Sequence, residues 1–168
     1  MEERPIGVRL GPGPTGWLTE AMALPAGFPV PREGLRDPRA VPEIVFVMAS
    51  RLAGPGVTAA TALSAVESVY GGLSVTGTGF FVTGPVGVPP GALDLSLEAC
   101  LLEVNGQVVD SATGAAVQGH PAEALARAAH DVAIEPGWIV FTGGMTPPVS
   151  LTGGVTAHFT HLGSLFLA

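Results

Sequence analysis

Glycine and proline interrupt this chain so often that it has no room for a long helix. There are 24 Gly and 16 Pro among 168 residues. Inside a helix a glycine costs about 1 kcal/mol relative to alanine and a proline about 3 kcal/mol. The chain is therefore expected to fold as short strands joined by many turns. Hydrophobic residues make up 47% and charged residues 12%, which is enough apolar material for one real core and too little charge for a solvated tail.

The same composition excludes several classes of function. Mean hydropathy is +0.48, yet Gly, Pro, Thr or a charge breaks every apolar run before the ~18 residues a spanning helix needs. No membrane partner is expected. The net charge is -7, all seven basic residues are arginine, and they are scattered. Nucleic-acid binding leaves a basic stripe, and there is none. The single cysteine, Cys100, lies in the apolar run 97–104. It can form no internal disulfide, and a buried strand position is expected for it. The start, Met-Glu-Glu-Arg-Pro, is acidic and polar, so a cytoplasmic address is expected.

Residues 1–40 carry Gly11-Pro12-Gly13-Pro14, Pro25, Pro29, Pro31 and Pro38. They read as an extended arm with one helical turn near 18–22, and residues 41–168 read as a single domain. Residues 43–49 are apolar on both faces, the pattern of a buried strand. Thr58 is placed to cap a helix running to about Tyr70, with Ala59, Ala62, Leu63, Val66 and Tyr70 on one face. Asn105-Gly106 between two apolar runs predicts a two-residue hairpin. Gly119-His120-Pro121 opens a second helix, with Glu123 near its exposed amides and Leu125, Ala128, Ala129 and Val132 on its buried face. Strands are expected at 138–142 and 155–161, the second alternating Val155, Ala157 and Phe159 with polar neighbours. The expected class is β-rich α+β with two short helices.

Seven segments in register carry a resemblance. They include Gly16-Trp17-Leu18-Thr19-Glu20-Ala21-Met22, Pro38-Arg39-Ala40-Val41-Pro42-Glu43-Ile44-Val45-Phe46 and Leu52-Ala53-Gly54-Pro55-Gly56-Val57-Thr58. Further on stand Leu102-Glu103-Val104-Asn105-Gly106, Gly114-Ala115-Ala116-Val117-Gln118-Gly119-His120-Pro121, Phe141-Thr142-Gly143-Gly144 and Phe159-Thr160-His161-Leu162-Gly163-Ser164. From about Ile6 to the end, the chain resembles the vinylpyruvate (2-keto-4-pentenoate) hydratases and 4-oxalocrotonate decarboxylases, which are related to the fumarylacetoacetate hydrolase fold. The resemblance implies a mixed, barrel-like sheet core and action on small 2-oxo or 2-hydroxydienoic acids of aromatic meta-cleavage catabolism.

The resemblance also implies Mg²⁺ or Mn²⁺ held by three carboxylates, two of them from a Glu-Pro-Glu. Here that motif reads Val41-Pro42-Glu43, and the third carboxylate falls on Ser74. Glu43 is thus the one family ligand retained. A pocket lysine of the family falls on Arg9, which keeps the positive charge and can clamp a carboxylate but does not serve as a base. Thr142 and Gly143 resemble a loop lining the family's pocket. Simpler readings stand beside these: Glu43 bonded to backbone amides or an arginine, Arg9 a solvated charge, and Thr142-Gly143-Gly144 a turn.

Two functions follow. One is a divergent metal-dependent hydratase; the other is a non-catalytic relative that binds a small 2-oxo acid or a partner subunit. The family's helical N-terminal part is not matched. An apolar face formed by Ile44, Phe46, Met48, Phe80, Phe81 and Phe166 is therefore expected to be exposed, and a homo-oligomer or a complex with a longer homologue is expected to cover it.

Overall fold

The computed structural model describes residues 2–11 and 15–168. Met1 and the Pro12-Gly13-Pro14 part of the expected looping arm lie outside the described residues. Strands β1 (Gly7–Arg9) and β2 (Gly16–Leu18) pair antiparallel, and a 3-10 turn at Glu20–Met22 follows them. After an irregular, proline-bearing stretch comes β3 (Arg39–Met48), buried without a break from Ala40 to Phe46.

Thr58 caps the next element as its sequence predicts. Its hydroxyl accepts the Thr61 amide, and the Thr61 hydroxyl accepts the Thr58 amide in return. The helix itself is shorter than expected. It is α1 (Ala59–Ser64), and Val66 and Tyr70, read as continuing its apolar face, lie instead in β4 (Val66–Val75). The run from Val66 pairs antiparallel along β3, from Val66 opposite Met48 to Val75 opposite Ala40. Its β-branched and aromatic residues satisfy a helical spacing and a doubly buried strand equally, and the partner strand decides between them.

β5 (Phe81–Thr83) continues this sheet. The Asn105-Gly106 hairpin is present, with φ of 52° and 80°, between β6 (Ala99–Val104) and β7 (Gln107–Thr113). Helix α2 (Pro121–Asp131) starts at Pro121, and the ring of His120 accepts the Ala122 amide at 3.0 Å, so the imidazole itself is the cap. Then come β8 (Ile139–Gly144), β9 (Val149–Ser150), β10 (Val155–Phe159) and β11 (Gly163–Leu167). In β10 Val155, Ala157 and Phe159 face inward as their alternation requires.

One mixed sheet runs β2-β1-β8-β3-β4-β5, with β9 on the end of β3; among the strands of the described residues only β1 and β8 pair in parallel. A second, antiparallel sheet runs β11-β10-β6-β7. The helices pack on each other, and α2 lies against β8. This is the β-rich α+β fold with two short helices that the sequence predicts. Among the described residues no helix is long and apolar enough to cross a membrane.

The expected exposed face is not there. Ile44, Phe46, Met48 and Phe81 are buried, Phe80 is half-buried, and only Phe166 stands out at 48%. Val30 and Leu24 from the N-terminal segment, with Ala62 of α1 and Leu125 of α2, share the core with Ile44, Phe46 and Met48. Burying each such large side chain is worth about 1.5–3 kcal/mol, and this chain covers them itself.

Candidate functional site

Side chains alternate along a strand, so Val41, Glu43 and Val45 of β3 share a face. Val45 packs with Leu18, Phe81 and Phe141 in a small apolar cluster. Glu43, next to it, is fully buried. Ser74 on β4 is the direct cross-strand partner of Val41, and its hydroxyl donates to Oε2 of Glu43. Val41, Glu43 and Ser74 thus lie side by side, with one carboxylate among them.

β8 supplies the next contact. Its pairing with β3 shifts register between Glu43 and Val45, and Gly143 there has φ of 126°, a conformation glycine adopts without strain. The Gly143 amide donates to Oε1 of Glu43 at 2.9 Å. The Thr142 hydroxyl donates to the Ile44 carbonyl at 2.7 Å. Arg9 ends β1, beside Phe141 in the parallel register, and its Nε stands 3.4 Å from Oε2 of Glu43. That Nε is buried and has no hydrogen-bond partner among the described residues, so the contact is an ion pair without a formed hydrogen bond. Burial pushes the Glu43 carboxyl above its ordinary pKa; Arg9, Ser74 and Gly143 pull the other way without offsetting it.

Beside this cluster lies a cavity of about 510 Å³, lined by Arg9, Val41, Val117, Thr142, Gly143 and Pro147 among others. Arg9, Thr142 and Gly143, singled out from the sequence, therefore meet at one cavity. Glu43 lies beneath it and is not part of its wall. A smaller cavity of about 280 Å³ reaches the other side of Arg9, beside Trp17 and Met22. Val117 and Gln118 were not anticipated as wall residues, because Gly119-His120-Pro121 read only as a helix start. The left-handed φ of Gln118 and Gly119, 53° and 85°, turns this segment ahead of α2.

The donor set does not fit a hard dication. Mg²⁺ and Mn²⁺ take several oxygen ligands, carboxylates above all. Here one carboxylate is present, its oxygens are bonded to Ser74 and Gly143, and a guanidinium stands beside it. Among the described residues no three His, Cys, Asp or Glu side chains come together at metal-binding distance.

Other reactive side chains have structural roles. Cys100 is buried and its thiol pKa is pushed up to about 12, mainly by burial and then by Glu98 and Asp110. His158 bonds Ser164 and stands 3.3 Å from Glu103. Buried Glu98 accepts both the amide of His161, at 2.9 Å, and its ring nitrogen, at 2.7 Å. It thereby ties the β10–β11 turn to the start of β6, a pairing no local sequence signal foretold.

Residues 56–166 match the fumarylacetoacetate (FAA) hydrolase C-terminal family. The chain belongs to that family. A relative, 2-hydroxyhexa-2,4-dienoate hydratase of Comamonas testosteroni, is 33% identical over 165 residues, covering 83% of this chain and 62% of its own. The chain thus spans less than two thirds of that relative's length. Two structures of 4-oxalocrotonate decarboxylase from Pseudomonas putida G7 superpose with a TM-score of 0.88, covering 98% of this chain and 77% of theirs. One, at 24% identity, is complexed with magnesium and adipate; the other, at 25%, with calcium and acetate. A divalent ion therefore occurs within the family, and the relatives include hydratases and decarboxylases.

Proposed function

We propose that this protein is a family member that binds a small 2-oxo acid at the Arg9 cavity and does not carry out metal-dependent hydration. The observation that carries this reading is the state of Glu43: a lone carboxylate, out of water, bonded to Ser74 and Gly143 and paired with Arg9. A guanidinium at a cavity wall suits a ligand carboxylate. The relatives' names, a dienoate hydratase and an oxalocrotonate decarboxylase, point to small unsaturated acids as the ligand class. Metal stabilisation of a developing enolate supplies several kcal/mol of barrier lowering, and among the described residues no carboxylate lines this cavity to hold such an ion.

The test is a pair of measurements on the purified protein. Calorimetric titration with pyruvate is expected to show binding without added metal. Consumption of 2-hydroxypenta-2,4-dienoate, with and without Mn²⁺, is expected to stay far below the usual enzyme median of ~10 per second. Turnover near that value overturns the non-catalytic reading, and a flat pyruvate titration overturns the ligand. The other reading, a partner subunit for a second copy or a longer relative, has lost the apolar face of Ile44, Phe46 and Met48 that motivated it. The ligand reading is the stronger.

A further inference from the structure

We infer that the Arg9 cavity selects monocarboxylates with a short apolar tail and discriminates against dicarboxylates. The inference rests on the carboxylate-binding reading and extends it to substrate class. Arg9 is the only charged side chain in the cavity wall among the described residues. Three other arginines are engaged elsewhere: Arg39 with Asp37, Arg51 with Glu135, and Arg32 with the Leu151 carbonyl. Arg9 already faces Glu43 through Nε, so its remaining N–H groups answer at most one ligand anion.

The rest of the wall has little to offer a second carboxylate. Leu10, Val41, Val117, Pro147 and Pro148 are apolar, and the two prolines have no amide hydrogen to donate. The hydroxyls of Thr142 and Thr146 already donate to the carbonyls of Ile44 and Pro147. Of the side chains, Thr76 and Gln118 remain as neutral hydrogen-bonding groups. They suit a keto or hydroxyl oxygen beside the first carboxylate and do not balance a second charge. An ionised group held against such a wall loses its water without gaining a partner, which weakens binding by about tenfold or more. An apolar tail in the same place is favoured instead.

The test compares two six-carbon acids that differ only at the far end, 2-oxohexanoate and 2-oxoadipate, by calorimetry on the full chain. Native protein is expected to bind 2-oxohexanoate at least about tenfold more tightly. In Gln118→Arg, a change at an exposed rim position, 2-oxoadipate is expected to gain about tenfold relative to 2-oxohexanoate. Circular dichroism checks that this variant folds. Equal or tighter binding of 2-oxoadipate by the native protein overturns the inference and leaves the carboxylate reading standing. An unaltered preference in Gln118→Arg overturns it too, since the second carboxylate would then lie outside the cavity. If neither acid binds, the carboxylate reading itself fails.

Discussion

The guanidinium Nε of Arg9 stands 3.4 Å from Oε2 of Glu43, on a carboxylate that water does not reach. Removing one member of a buried pair strands the other, which typically costs about 3–5 kcal/mol. Arg9 keeps a fifth of its side chain exposed, so the lower end applies. Arg9→Ala is expected to destabilise the protein by about 3 kcal/mol in urea unfolding. Arg9→Ala with Glu43→Gln should cost clearly less than the sum of the two single changes. Strict additivity would show that the two side chains are not coupled.

The raised pKa of Glu43 fixes the sign of a pH effect. The folded state holds the Glu43 proton more tightly than the unfolded chain, whose value is near 4.5. The stability this contributes is complete below that value and is lost as pH rises through the higher folded pKa. Glu43→Gln removes the titration. Urea midpoints from pH 4 to 8 should show the Gln variant gaining on the native protein as pH rises above 4.5, then levelling off. A difference that moves the other way would mean that Arg9, Ser74 and Gly143 outweigh burial.

Divalent ions should bind poorly. With Glu43 the one carboxylate among Val41, Glu43 and Ser74, Mn²⁺ affinity is expected in the millimolar range or weaker, as an order of magnitude for a carboxylate-poor site. Calorimetry checks this on native protein and Glu43→Ala, which should give the same weak signal. Micromolar binding that disappears in the variant would establish Glu43 as a working ligand.

The Cys100 thiol, with its pKa at about 12, is almost entirely protonated at pH 8, and the thiolate is the reactive form. A disulfide reagent is expected to leave the native protein unmodified over minutes and to titrate one thiol after unfolding in urea. Rapid reaction of the folded protein would expose a thiolate that the buried position excludes.

Gly7 allows β1 to lie close against β8. A Cβ added there would fall 1.9 Å from the Ile139 carbonyl oxygen, a backbone atom that cannot swing aside. Gly7→Ala is expected to cost at least about 1–3 kcal/mol, the usual range for overpacking. Because β1 carries Arg9, the same change should weaken pyruvate binding. A fully stable variant with native binding would show that β1 is free to move outward.

Features that depend on neighbours a few residues away are legible in the amino-acid order. Asn105-Gly106 accepts left-handed backbone, Thr58 and Thr61 satisfy each other's amides, His120-Pro121 opens a helix, and Val155, Ala157 and Phe159 alternate into the core. Family membership was legible for a related reason, since seven short motifs in order survive without any knowledge of contacts. Three features depend instead on contacts between distant segments. Val66 to Val75 became a strand because β3 offered a partner along its whole length. Ile44, Phe46 and Met48 are covered because Val30, α1 and α2 fold over them. The sequence allowed Glu43 a backbone amide or an arginine as partner, but that the arginine is Arg9 follows from β1 and β3 both pairing with β8. Local spacing encodes propensity, whereas burial and charge pairing depend on which strands lie side by side, and no window of sequence contains that information.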